Sequence, residues 1–209
     1  MKKFSPFMFV ALLLVGCATE NPPATTPAIQ GGSFYKNPHM ENVWLADGFN
    51  FKGYDTAYVA DTKSTAHFQA DEAEPHEIAK KNLQSQLANA LDAKRIFAKV
   101  VTREADIPAG AKVLTLENTI IAYSKGGGAA RYFAGMMGGG QPTLKVRGKM
   151  TDANKPVFSY EARRSGVSAG ARVVGAFKTD VDIQSEDIES MVKDLTDFIE
   201  ETAKGQVEK

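Results

Sequence analysis

A short run near the amino terminus has the residue types for covalent attachment of lipid. It has the pattern of a lipobox, where a peptidase cleaves before a cysteine and the thiol is acylated: Leu14, Val15, Gly16 and Cys17. Two lysines and an apolar run over residues 7–15 precede it, as in a secretory signal, and that run is too short to span a bilayer. The sequence therefore predicts cleavage between Gly16 and Cys17 and a membrane anchor of two or more acyl chains.

A second run matches the sequence pattern that surrounds a catalytic serine. Residues 166–170 read G-x-S-x-G, the turn that presents the catalytic serine in α/β-hydrolases, where a histidine follows further along the chain. All three histidines of this chain, His39, His67 and His76, precede Ser168. We interpret the run as a small-residue loop and predict no catalytic residue.

The histidines and acidic residues do not have the spacing of a metal site. No histidine pair has the i, i+4 separation that directs two imidazoles at one ion, and no calcium-binding loop pattern is present. Solvated surface histidines are the expected outcome. We predict no metal and no cofactor.

A glycine-rich run offers a candidate contact site. Seven of the fifteen residues from 126 to 140 are glycine, without the spacing of a phosphate-binding loop. One interpretation is a flexible loop, because glycine loses the most entropy on ordering. The other is an adaptable contact surface for a partner or for lipid, formed by Arg131, Tyr132, Phe133, Met136 and Met137.

Composition restricts the class of protein. Attachment of lipid to Cys17, the only cysteine, excludes intramolecular disulfides and a thiolate site. The 25 basic and 25 acidic residues balance, which argues against a nucleic-acid or polyanion partner. With 43% hydrophobic and 24% charged residues, the composition is that of a globular protein.

The chain divides into three segments. Residues 1–16 are the predicted signal peptide, residues 17–33 a tether rich in proline and threonine, and residues 34–209 a single periplasmic domain. Ala18 follows the acylated cysteine. An aspartate at this position would resemble the inner-membrane retention signal of enterobacterial lipoproteins. We therefore expect an anchor in the outer membrane, with the domain at its periplasmic face.

The domain is predicted to be α+β. Apolar stripes at helical spacing indicate two amphipathic helices, one from Pro75 onward that includes Ile78, Leu83 and Leu87, and one over residues 185–203. Strand patterns occur at residues 55–61, 96–101, 113–123, 144–150 and 157–162, and a turn joins the last two. These elements predict a single mixed or antiparallel sheet of about five strands with both helices packed on one face.

Several of these features together resemble a known family. The helix that continues into residues 91–101, the run from Gly128 to Arg131 and the hairpin that begins with residues 144–152 look like the bacterial lipoproteins grouped as domain of unknown function DUF4410. The resemblance covers roughly residues 50 to 203. It implies the fold and a location in the cell envelope, and it implies no activity.

The sequence therefore favours a lipid-anchored module that binds rather than transforms its partner. Accessory work in envelope assembly or transport, with a protein partner and with membrane lipid held through Cys17, is the expected setting. Two alternatives stay open. One is a periplasmic enzyme with an unrecognised site, and the other is a structural lipoprotein attached to peptidoglycan.

Overall fold

The computed structural model describes residues 28–127, 142–165 and 180–207 of the chain. These residues form a mixed α+β fold with one open sheet and two long helices. The strands are β1 (Gly32–Asn37), β2 (Met40–Ala46), β3 (Thr56–Val59), β4 (Lys63–Ser64), β5 (Lys99–Val101), β6 (Val113–Ser124), β7 (Thr143–Asp152) and β8 (Lys155–Ser165). The helices are α1 (Ala73–Lys94) and α2 (Asp180–Lys204).

The sheet contains eight strands in this part of the chain, so the prediction of about five was wrong. Its order is β1-β2-β8-β7-β6-β3-β5, with β4 beside β6. The neighbouring strands β1, β2, β8, β7 and β6 pair antiparallel in that order. Strands β3 and β4 run parallel to β6, and β5 runs parallel to β3. The sequence did not predict β1, β2 and β4, and two of these, β1 and β4, have weak patterns. Only Tyr35 is buried in β1, an edge strand, and β4 has two residues.

Both helices pack on the same face of the sheet, which we call the helix face. Along β6, β7 and β8 alternate side chains point to it, including Leu116, Val146 and Tyr160, all fully buried. The helices contact each other and close this core with apolar residues at helical spacing: Leu83, Leu87 and Leu91 from α1, and Ile188, Leu195 and Ile199 from α2. Ile78, which the sequence placed in the apolar stripe of α1, is instead 40% exposed.

The predicted hairpin of β7 and β8 is confirmed. It turns at Ala153 and Asn154, which have φ values of 43° and 72°. Two consecutive residues with positive φ are typical of the type I′ turn, whose twist matches that of the flanking strands. This turn fixes the register in which Met150 lies opposite Phe158 and Arg147 opposite Glu161.

Candidate functional site

The predicted site residues lie outside the part of the chain that the structure describes. This holds for the cleavage and acylation site, Gly16 and Cys17, and for the candidate contact residues Arg131, Tyr132, Phe133, Met136 and Met137. Ser168 also lies outside it. The structure does describe the residues on either side of both glycine-containing runs.

Those flanking residues meet at one end of the sheet. Thr143, where β7 begins, pairs with Ser124, the last residue of β6, and with Ser165, the last residue of β8. Since neighbouring strands lie about 4.8 Å apart, residues 128–141 and 166–179 connect to adjacent positions. We call this end of the domain the loop end. Both helices also begin here, because Glu72 contacts Lys125 and Gln184 contacts Tyr123.

A buried carboxylate fixes the chain where it leaves β6. Glu72 is 7% exposed, and its Oε1 accepts a hydrogen bond from the backbone N–H of Lys125 at 2.8 Å. Its Oε2 accepts from the N–H of Gln69 at 2.9 Å. The Lys125 ammonium also pairs with Asp71, which lowers the pKa of that carboxyl group. The segment after Lys125 therefore starts from a fixed position at the beginning of α1.

A buried guanidinium fixes the chain where it leaves β8. Arg164 is 6% exposed, and its Nη1 donates to the backbone oxygens of His39 at 2.8 Å and Arg163 at 2.9 Å. Its Nη2 pairs with Asp194 of α2. Arg164 thus joins the β1–β2 turn, the end of β8 and α2, since a guanidinium can donate in several directions at once.

A polar cluster lies beneath the loop end. His76 is 1% exposed, stacks on Phe68 at 4.2 Å and meets Tyr123 edge-on at 4.8 Å between ring centroids. Its Nε2 lies 2.9 Å from Ser64 Oγ, and burial lowers its pKa. The expectation of a solvated histidine is therefore wrong for His76. The signal was in the sequence, because His76 precedes Leu83 by seven residues on one helical stripe.

Among the described residues, two buried atoms of this cluster have no hydrogen-bond partner, His76 Nδ1 and Gln184 Nε2, and neither has Asp187 Oδ2, three residues further along α2. Gln184 Oε1 accepts from the Tyr123 hydroxyl at 2.9 Å, and burial raises the pKa of Tyr123 to about 12. Burial also raises the pKa of Asp187 to about 6. Buried polar groups without a partner are uncommon, so these atoms lower the stability of this end of the domain relative to a core in which every polar group is paired.

The cluster does not have the arrangement of a catalytic or metal centre. The Ser64 hydroxyl also accepts from the N–H of Ala66 at 3.2 Å, and Phe68 and Tyr123 enclose its histidine partner, so the pair ties α1 to β4. Within the described ranges, no three residues of the types His, Cys, Asp and Glu come close enough to hold an ion. None of the helices described combines the length and apolarity needed to cross a bilayer.

The sequence places the chain in a family. The profile of the family "Domain of unknown function (DUF4410)" matches residues 51–195, so this protein belongs to that family. The resemblance proposed from the sequence is thereby confirmed. A search of curated proteins finds no match.

Solved structures give distant similarities. A PelC dodecamer from Paraburkholderia phytofirmans is 17% identical, with a TM-score of 0.46 over 73% of this chain and 96% of that one. A DUF4136 family protein from Bacteroides thetaiotaomicron is 12% identical, with a TM-score of 0.40 over 81% and 96%. A DUF330 protein from Xanthomonas campestris is 14% identical, with a TM-score of 0.37 over 73% and 86%. Similarity at this level transfers no partner and no assembly to this chain.

Proposed function

We propose that the protein is an outer-membrane lipoprotein whose periplasmic domain binds a protein partner at its loop end and acts as an accessory module in envelope assembly or transport. The lipobox at Cys17 and the proline-rich tether support the anchor. The observation that carries the proposal is that the described residues flanking two small-residue segments meet at one end of the sheet.

The direction of the chain supports this arrangement. Ile29 is buried, and its carbonyl oxygen accepts from the N–H of Gly32 at 3.0 Å, so the chain enters the fold directly before β1. Gly32 lies opposite Ala46 at the end of β2, beside the start of β8 and far from Ser165. The tether therefore joins the domain at the end opposite the loop end. The twelve residues of β6 place these ends about 40 Å apart.

Attachment of the tether opposite the loop end suits a tethered binding protein. With the tether at one end, the loop end can face away from the anchoring membrane, towards partners in the periplasm. Tyr132, Phe133, Met136 and Met137 supply large apolar side chains on the segment that leaves the fixed Lys125, and such side chains dominate contact energies at protein interfaces. The fixed flanks reduce the entropy that the segment loses on binding.

Photocrosslinking in intact cells tests the proposal. A photoreactive residue in place of Tyr132 or Phe133 should give a discrete crosslinked protein, whereas the same residue in place of Asn154, at the opposite end, should not. Replacement of all four apolar loop residues by serine should remove the crosslink from a probe at Arg131 and leave thermal unfolding cooperative. Loss of cooperative unfolding in that variant would mean that these residues belong to the core, and the contact site would be rejected.

The anchor is tested separately. Cys17→Ser should abolish incorporation of labelled palmitate and leave an uncleaved precursor, while Ser33→Cys added to Cys17→Ser should not restore it. A labelled product of normal size from Cys17→Ser would refute lipidation at this residue. Co-sedimentation with purified peptidoglycan in the absence of a protein crosslink would favour the structural-lipoprotein alternative.

A further inference from the structure

The face of the sheet opposite the helix face carries an ordered row of side chains. We call it the polar face, and none of the helices described packs on it. The register places five residues in line across β1, β2, β8, β7 and β6: Phe34, Trp44, Ser159, Lys149 and Glu117. Four interstrand spacings separate its ends, about 19 Å. We call these five residues the cross-strand row.

One end of the row is aromatic. Phe34 and Trp44 contact each other with ring centroids 5.3 Å apart and an interplanar angle of 64°. Phe34 is 44% exposed, which makes it one of three exposed large hydrophobic residues in the part of the chain described. An edge strand gains no core contact from an exposed phenyl ring, but the pair offers a surface on which a ring-shaped ligand can stack.

The other end of the row is cationic at its surface. The ammonium groups of Lys149 and Lys63 both pair with Glu117, at 2.9 Å and 3.2 Å. Their side chains are 51% and 69% exposed, against 28% for Glu117, so the carboxylate lies beneath two cations. The hydrogen bonds from Lys149 and Lys63 lower the pKa of Glu117, which stays ionised at neutral pH. One positive charge remains uncompensated by this carboxylate.

The neighbouring side chains of the polar face also combine a carboxylate with two cations. Glu161 pairs with both Lys145 and Arg147, and Lys145 also reaches Glu41 at 2.9 Å. Between these side chains and the cross-strand row lies a groove of about 200 Å³, lined by Lys63, Glu117, Thr119, Arg147, Lys149 and Ser159. The groove thus combines cations with the hydroxyl group of Thr119, which can donate and accept hydrogen bonds, while Ser159 is buried at its base.

The even charge of the whole chain conceals this local excess. Residues 143–165, which form β7 and β8, contain six basic and two acidic residues, of which Arg164 pairs with α2 while Lys145, Arg147 and Lys149 lie on the polar face. Residues 180–204, which form α2, contain nine acidic and two basic ones. The two elements pack on each other, so their charges cancel in the net value but not at the polar face. The balance that argued against any polyanion therefore does not describe this surface.

We propose that the cross-strand row binds an acidic glycan, with a sugar ring stacked on Phe34 and Trp44 and carboxylate groups held by Lys149 and Lys63. The row is about 19 Å long, as an extended chain requires. The hydroxyl group of Thr119 in the groove can bind the hydroxyl groups of a sugar. Its charge excess is too small for nucleic acid, whose phosphates follow one another every 1.7 Å along the duplex axis. Only the periplasmic location of this ligand rests on the function proposed above.

Trp44 provides the measurement, because it is the only tryptophan of the chain. Titration of the full-length protein with oligogalacturonate should change the Trp44 fluorescence saturably, and malto-oligosaccharide of equal length should not. Lys149→Glu should weaken binding about tenfold or more, and added salt should weaken it further. Lys155→Glu is the matched control, since it makes the same charge change on an exposed residue of the hairpin outside the row, and it should bind within about twofold of the parent.

Three results would overturn the proposal. They are the absence of binding to oligogalacturonate, equal losses in Lys149→Glu and Lys155→Glu, and tighter binding to anionic phospholipid vesicles or to single-stranded DNA. Lys63→Gln provides a second test with little risk to folding, because that side chain is 69% exposed, and it should reduce affinity about threefold or more. Palmitate labelling at Cys17 is independent of these results, so failure here and failure of the anchor are distinguishable.

Discussion

The two faces of β6, β7 and β8 are built from alternate residues of the same strands, yet they bury their side chains in different ways. On the helix face Tyr160 is fully buried among apolar residues and donates to Asn118 Oδ1 at 2.7 Å. On the polar face the next residue, Glu161, is 3% exposed and pairs with Lys145 and Arg147. One face is stabilised by packing and the other by compensation of charge, and the second depends on each partner remaining ionised.

The largest expected effect concerns the charges of the polar face. Glu161→Gln leaves Lys145 and Arg147 without their shared carboxylate, and loss of one partner of a buried ion pair costs about 3 to 5 kcal/mol. Urea denaturation of the variant should report this loss. Glu41→Gln is the control, because Glu41 is 39% exposed in its side chain and should cost under about 1 kcal/mol. Equal effects would mean that the polar face behaves as an ordinary solvated surface.

The next effect concerns the packing of the helix face. A Cβ atom at Gly148 would lie 2.1 Å from Tyr160 Cε1 and 2.7 Å from Asn118 Oδ1, so Gly148→Ala forces buried side chains to move. Overpacking of this kind should cost about 3 kcal/mol in the free energy of unfolding. Gly110→Ala adds a methyl group where no atom lies within 4 Å, although its φ of 77° also strains it. A smaller loss in Gly148→Ala than in Gly110→Ala would show that the helix face is loosely packed.

A hydrogen bond tests the polar part of the helix face. Tyr160→Phe keeps the ring and leaves Asn118 Oδ1 without its donor, which should cost about 2 kcal/mol because the acceptor stays buried. Asn118→Leu added to Tyr160→Phe should recover part of that loss, since Asn118 Nδ2 has no hydrogen-bond partner among the residues that the structure describes. Thermal unfolding of the single and double variants measures both steps. A double variant no more stable than the single one would refute this account.

The last effect depends on pH and concerns Asp187, whose buried Oδ2 has no hydrogen-bond partner among the described residues. Burial raises the pKa of Asp187 from 3.8 to about 6, so its contribution to stability is complete at low pH and is lost as pH rises through 6. Asp187→Asn should therefore match the parent below about pH 3 and become more stable than the parent as pH rises through 6. His76 is present in both proteins, so the difference between their pH profiles isolates Asp187. A constant difference across this range would contradict the assignment.

The candidate site was only partly accessible from the sequence. The runs at residues 126–140 and 166–170 were visible as local composition, and Arg131, Tyr132, Phe133, Met136 and Met137 remain a prediction. The contacts of Glu72 and Arg164 could not be predicted from the sequence. Their partners lie 53 residues away at Lys125 and 30 residues away at Asp194, and no local pattern encodes contacts at such separations.

The sequence by itself determined the elements whose signal is local. The apolar stripe of α2, the alternation along β6 and the turn at residues 152–156 each arise from neighbours within a few positions, and all three are present in the fold. Tertiary structure alone decided which residues meet. The register of five strands aligned Phe34 with Trp44, Ser159, Lys149 and Glu117 and brought Ser124, Thr143 and Ser165 to one end of the sheet. Backbone hydrogen bonds between strands set that register, and a slip of one residue would turn each side chain to the other face.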